Sequence, residues 1–306
     1  MNTMGDIFER VKANNPWWIS SGLILEDSLI KEFEEQKFRY FHPLLQNISL
    51  DQDAVLTIRG PRRVGKSTLL RLLIKRLLLE EKIPKEAIFF YPCDRVENYN
   101  QLFEIIKTYL DFARPRIDSR LFIFLDEISF VKDWQRAIKE MVDNGLLKKS
   151  LTILTGSSIL DLKFGSEFLS GRRGEISPSD IFYHPLSFAD FVNLVNPKPG
   201  AEKDEFSLSY YLPKLNKLFH DFLLTGGFPK TINEYYASGR IANSTYETFI
   251  TWVENDLHKT NRSEKTAYDL LNNLYRTLTT PVSFTSLAKD SSIASHFAVQ
   301  EYIDIL

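Results

Sequence analysis

Eight consecutive residues, Gly60-Pro61-Arg62-Arg63-Val64-Gly65-Lys66-Ser67, restrict what this chain can fold into more than any other feature of it. They fit the pattern G-x-x-x-x-G-K-[ST]. They also fall where that pattern has a mechanism, between an apolar strand signal at 54–59 and a helical signal at 67–81 that carries Leu69, Leu70, Leu72, Leu73, Leu77 and Leu78. Glycines without a β-carbon let backbone N–H groups turn inward around phosphate oxygens, at the positive end of the helix that follows. Lys66 then reaches the β- and γ-phosphates as a point charge, Ser67 offers its hydroxyl to Mg²⁺, and Thr68 completes the phosphate-facing set. The expected ligands are therefore ATP and Mg²⁺.

The stretch after this loop alternates regularly. Strand patterns at 87–93, 121–128 and 151–157 are separated by helical patterns near 102–110 and 134–144. Strands that are continuous apolar runs, with helices between them, imply an α/β fold with a parallel sheet covered on both faces. The run Leu121-Phe122-Ile123-Phe124-Leu125 ends in Asp126-Glu127, at the carboxyl end of a buried strand, where open α/β sheets bind ligands. Asp126 is expected to hold the Mg²⁺ shell and Glu127 to orient and deprotonate the attacking water. Thr155-Gly156-Ser157-Ser158 closes the fourth strand, and Ser157 reads either as a sensor of the γ-phosphate or as part of a plain turn.

Composition excludes several classes. Hydrophobic residues at 43% and charged residues at 25% are ordinary for folded chains, so disorder is not expected. One cysteine, Cys93, rules out an internal disulfide framework and fits a reducing, cytoplasmic setting. No apolar run is long enough to span a bilayer, and no histidine spacing suggests a metal site. A net charge of −2 gives no global attraction to nucleic acid. Trp17 and Trp18 read as packing residues.

At 306 residues the chain has material for two or three domains. Residues 1–50 read as an N-terminal extension packed on a P-loop domain at 51–197. A Pro-, Gly- and charge-rich stretch at 197–204 reads as a linker. Helical text follows, with a helical domain at 198–262 and a last module at 263–306 whose short helices have the spacing of a winged helix.

Taken together, Asn15-Pro16-Trp17-Trp18, Arg59 to Ser67, Cys93-Asp94, Leu125-Asp126-Glu127-Ile128, Trp134 with Ala137-Ile138-Lys139, Leu154 to Ser158, Gly171-Arg172-Arg173-Gly174, Pro185-Leu186-Ser187-Phe188 and Gly226-Gly227-Phe228-Pro229 resemble a family of archaeal and bacterial AAA-type ATPases. That family is related to the signal-transducing NTPases and usually carries a C-terminal domain of unknown function. The resemblance implies a sheet of order 5-1-4-3-2, a small helical lid at 198–262 and a partial winged-helix domain after it. It also implies that Pro229 packs on the base, although a helix-ending turn explains the same text, and that Arg172 neutralises charge near the γ-phosphate.

Members of that family are commonly longer and continue into a domain resembling restriction endonucleases, so a nuclease role is not carried over to a chain that stops at Leu306. The text from 294 to 306 offers Glu301 and Asp304 but no Lys or Arg, whereas phosphate contacts dominate nucleic-acid affinity. The expected activity is Mg²⁺-dependent ATP hydrolysis coupled to movement of lid and C-terminal domain. A slow ATP/ADP switch and a DNA-associated ATPase are the alternatives. Expected partners are ATP or ADP and a protein or a second copy of the chain, with nucleic acid not favoured and no membrane.

Overall fold

The apolar runs of the sequence become five strands: β1 Ala54–Arg59, β2 Ile88–Pro92, β3 Leu121–Asp126, β4 Ser150–Gly156 and β5 Asp180–Phe182. They form one parallel sheet in the order β2-β3-β4-β1-β5, the order that the family resemblance implies. The structure is a computed structural model that describes residues 4–157, 169, 171–174, 178–197, 205–291 and 293–305. Ser158 and the linker residues 198–204 lie outside the described residues.

β3 and β4 are buried along their whole length, as strands covered on both faces must be. Register fixes what meets at the carboxyl edge. Arg59 pairs with Gly156 and Leu125 with Leu154, so the residues after β1, β3 and β4 emerge side by side. The sequence predicts that the third strand runs to 128. It ends at Asp126 because Glu127 adopts left-handed backbone angles, φ 54° and ψ 43°, which take it out of the ladder.

The chain before the sheet forms the helices α1 Met4–Ala13, α2 Ser28–Glu35 and α3 Leu44–Asn47. The helices that cover the sheet are α4 Lys66–Leu79, α5 Tyr99–Ala113 and α6 Trp134–Asp143. β2 is an edge strand, and its outer backbone groups need partners that no sixth strand among the described residues supplies. The N-terminal segment supplies them from side chains. Asn15 donates through Nδ2 to the Phe90 carbonyl at 3.0 Å and accepts from the Phe90 N–H at 2.7 Å, so one amide replaces a neighbouring strand at that position. The indole N–H groups of Trp17 and Trp18 both donate to the Ile88 carbonyl, at 3.1 and 2.9 Å. Trp18 also stacks on Phe112 and Tyr109 of α5. Both tryptophans are buried packing residues, as the sequence suggests.

By its internal packing the chain divides into two units, Met1–Gly239 and Arg240–Leu306. Beyond β5 the first unit continues through the helices Phe188–Val195, Glu205–Thr225 and Pro229–Ser238. These share a small core of Leu186, Phe191, Val192, Leu218 and Ile232, with Phe38 and Tyr40 packed against it. Asn233 holds the segment at 38 in place, accepting from the Phe38 N–H and donating to its carbonyl, both at 2.9 Å. The second unit contains the helices Asn243–Lys259, Glu264–Arg276, Phe284–Asp290 and His296–Ile305 around Leu257, Leu270, Leu287 and Val299. Among the described residues it has no strand.

Candidate nucleotide-binding site

The loop from Gly60 to Gly65 leaves β1 at the carboxyl edge and enters α4 through Gly65, whose φ of 113° is closed to ordinary L side chains. Gly60 is required for a different reason, since a β-carbon there would sit 2.3 Å from the Tyr183 carbonyl oxygen. Tyr183 follows β5, donates its N–H to the Arg59 carbonyl at 2.7 Å and supports the loop from behind. His42 stacks on the ring of Tyr183 with centroids 4.0 Å apart. Val64 is buried in the main core, Pro61 and Arg62 are half-buried, and Arg63 is exposed with a φ of 58°. The Arg62 guanidinium lies 6.0 Å from the centroid of Phe130. Thr68 is half-buried in the first turn of α4.

Lys66 is buried to 4% exposure, and its ammonium donates to the carbonyls of Gly60 and Pro61, both at 2.8 Å. A cation that deep, held by neutral oxygens of its own loop, is in place for an anion to arrive. Ser67, the next residue, is hydrogen-bonded to the Asp126 carboxylate. Thr155 also donates to Asp126 Oδ1, and the same hydroxyl accepts from the Glu127 N–H at 3.2 Å. Burial pushes the Asp126 carboxyl above its ordinary range, although the hydrogen bonds from Thr155 and Ser67 and the Lys66 charge pull the other way. A divalent cation would favour the ionised form of a carboxylate in that position. The cradle and the Ser67–Asp126 pair therefore fit a nucleotide phosphate group with Mg²⁺.

Glu127 and Ser157 face one another across the edge. Glu127 Oε2 accepts from the Ser157 N–H at 3.1 Å and from its hydroxyl at 2.9 Å. Thus Lys66, Ser67, Asp126, Glu127 and Ser157 converge on one edge of the sheet, as the register dictates.

Two other residues are elsewhere or more loosely connected. Arg172 pairs with Asp143 at 2.6 Å, at the end of α6. Its neighbour Arg173 bonds Thr57, the Val55 carbonyl and the Ser179 carbonyl, and the Arg173 carbonyl accepts from the Val55 N–H. Both arginines thus flank the amino-terminal half of β1, away from the loop that follows its carboxyl end. The expectation that Arg172 reaches the γ-phosphate is corrected by that location: within one chain it belongs to a surface ion pair. Such pairs contribute little, so Arg172→Ala should leave ATP turnover within about twofold of the parent in a steady-state assay. Pro229 opens the helix Pro229–Ser238 and is half-buried. The turn before it is pinned at Gly227, which has a φ of 72° and approaches the Leu186 carbonyl so closely that a β-carbon would lie 2.5 Å from it. Phe228 packs on the core that contains Val64 and Tyr183.

Sequence reasoning did not single out Thr155, Tyr183 or His42. The signal for Thr155 was its place two residues before Ser157 in the fourth strand pattern, the spacing of one side of an extended strand.

A parallel sheet in this order, with a glycine-bounded lysine loop after β1, defines a P-loop NTPase fold with a helical C-terminal region. Residues 52–192 match the family model of an AAA domain, which agrees with the P-loop ATPase fold of that stretch. An uncharacterised protein of Haemophilus influenzae is 28% identical over 192 residues. That match takes in 60% of this chain and 41% of the relative, so the chain spans less than half of the relative's length. Among solved structures, the Walker-type ATPase of Pyrococcus abyssi shares the fold, with a TM-score of 0.50, 14% identity, and 82% of this chain and 84% of that one covered. The Orc1 protein of Aeropyrum pernix, solved in complex with DNA, overlaps more loosely, with a TM-score of 0.37, 12% identity, and 94% and 86% covered. None of the described helices is long and apolar enough to cross a membrane.

Proposed function

We propose that the chain binds ATP with Mg²⁺ and hydrolyses it at the edge formed by β1, β3 and β4. The convergence of the Ser67–Asp126 hydrogen bond, the buried Lys66 ammonium and the Glu127–Ser157 pair on one loop carries this reading. Lys66 exchanges the carbonyls of Gly60 and Pro61 for phosphate oxygens, and the inward N–H groups of the loop take the rest. Ser67 and Asp126 hold the metal, which when bound draws charge from the phosphate oxygens as a Lewis acid. Glu127 is the base that orients and deprotonates water, and Ser157 positions its carboxylate. Pro229 packs on the adenine ring of the nucleotide.

Hydrolysis is coupled to movement of the helices after β5 and of the C-terminal unit, and the output goes to a protein partner or a second copy of the chain. Nucleic acid is not the favoured partner, because the helix His296–Ile305 presents Glu301 and Asp304, and Glu301 is paired with Arg262 at 2.6 Å. The purified chain should release phosphate from ATP in Mg²⁺ and stop when the metal is chelated; absence of turnover in Mg²⁺ overturns the enzymatic reading. One observation favours a slow ATP/ADP switch as the second reading: Lys66 and Glu127 both already have internal partners. ADP retained through purification, detected by mass spectrometry, would support it.

A further inference from the structure

Arg71 lies on α4 one turn after Ser67, so the two residues share a helix face. The buried residues of that helix are mostly leucines. The Arg71 side chain is 15% exposed, and the guanidinium carbon lies 3.5 Å from the centroid of the Phe90 ring and 5.8 Å from that of Trp17. Nε is 3.0 Å from Asp27 Oδ2, in an ion pair without hydrogen-bond geometry, and Nη1 is buried with no hydrogen-bond partner among the described residues. A buried guanidinium normally satisfies its donors, so the unmade bonds leave the Asp27 ion pair as the contact that balances its charge.

The other acid on this side of the sheet is Asp126, the carboxylate assigned to the metal. Phe90 pairs with Phe124 across β2 and β3, and Asp126 follows Phe124 by two residues, so Phe90, Phe124 and Asp126 lie on one face of the sheet. Arg71 rests on that face over Phe90; burial lowers its pKa, and the Asp27 and Asp126 charges pull the other way. Asp27 is fixed independently, because its Oδ1 caps α2 by accepting from the N–H groups of Leu29 and Ile30, at 3.0 and 3.4 Å. This leaves Oδ2 for Arg71.

We propose that Arg71 acts on Asp126 through its charge, and that Asp27 of the N-terminal segment sets how strongly that charge opposes Mg²⁺ at the carboxylate. With Asp27 in place the guanidinium charge is balanced and Asp126 is available to the metal. Without it, an uncompensated positive charge faces Asp126 and opposes a divalent cation. The inference rests on the nucleotide-site reading above. It adds that the segment before the P-loop domain tunes metal affinity through one ion pair.

The test titrates Mg²⁺ into the full chain at fixed ADP and reads the half-saturation from thermal stabilisation, which needs no turnover. Asp27→Asn keeps a good helix cap and removes the charge, so the fold is retained. It should raise the Mg²⁺ half-saturation about five- to tenfold. Adding Arg71→Met to Asp27→Asn should bring the half-saturation back to within about twofold of the parent, since both charges are then gone. Asp143→Asn, which breaks the remote pair with Arg172, should change nothing. A purely structural role predicts that the two substitutions add their damage, and that result overturns the proposal. So does an Asp27→Asn chain that matches the parent. A parent chain whose ADP binding ignores Mg²⁺ overturns the nucleotide-site reading instead, and this inference with it.

Discussion

The Glu127→Gln variant should bind ATP as tightly as the parent chain and hydrolyse it about 10²- to 10⁴-fold more slowly. The geometry makes this a clean substitution. Glu127 uses one carboxylate oxygen to accept both the N–H and the hydroxyl of Ser157, at 3.1 and 2.9 Å. A glutamine carbonyl oxygen accepts the same two bonds, so the side chain keeps its place. The backbone of Glu127, anchored by its N–H to Thr155 Oγ1, is not touched by the change. What is lost is the ability to take a proton from water. Lys66, Ser67 and Asp126 remain, and these are the groups assigned to phosphate and metal. Nucleotide affinity by equilibrium titration and phosphate release in the steady state separate the two effects. A variant turning over within a few-fold of the parent removes Glu127 as the base, and a loss of affinity instead assigns it to binding. Lys66→Ala is the contrasting case, since it should lose affinity and turnover together.

Local spacing explains why the centre of this site is legible in the sequence. Gly60 to Ser67 carries its own structural context within a few residues, and Asp126-Glu127 ends an apolar run too continuous to be anything but a buried strand. The strand order was legible only through family resemblance, because period and length do not say which strand neighbours which. Arg172 shows the limit of such carry-over. A Gly-Arg-Arg-Gly text looks the same whether it crosses the carboxyl or the amino end of a sheet, and only the pairing of Val55 with Arg173 decides. Thr155 was passed over for Ser157 because both are hydroxyls at the end of one strand pattern. Their division of labour, Thr155 on Asp126 and Ser157 on Glu127, depends on register between β3 and β4. Arg71 sits among the leucines of α4, and nothing in the local sequence singles it out. Its partner Asp27 is more than forty residues earlier, and no local pattern connects them.

Trp17→Ala should be among the most destabilising single substitutions in the first unit, costing about 3–5 kcal/mol. Trp17 is fully buried, so truncation loses the transfer of a large aromatic surface and leaves a cavity between the N-terminal segment and β2. Lost hydrogen bonding is the smaller part, because the Ile88 carbonyl keeps the Trp18 indole N–H at 2.9 Å. Asn15→Ala works the other way round. It removes little apolar area but leaves the Phe90 N–H and carbonyl without their partner, at about 1–3 kcal/mol for each buried group left unsatisfied. Trp17→Phe, which keeps most of the apolar volume, should cost clearly less than Trp17→Ala. Denaturant unfolding followed by circular dichroism measures all three. If Trp17→Ala costs under about 1 kcal/mol, the N-terminal segment is a removable cover, and β2 must be protected by something else. If the larger cost is found, the segment is part of the domain's core, and Arg71, which lies against both Trp17 and Phe90, depends on that packing for its position beside Asp126. Stability of the edge strand and metal affinity would then fall together in Trp17→Ala, whereas Asp27→Asn would lower metal affinity alone, because only the first removes part of the packing around the guanidinium.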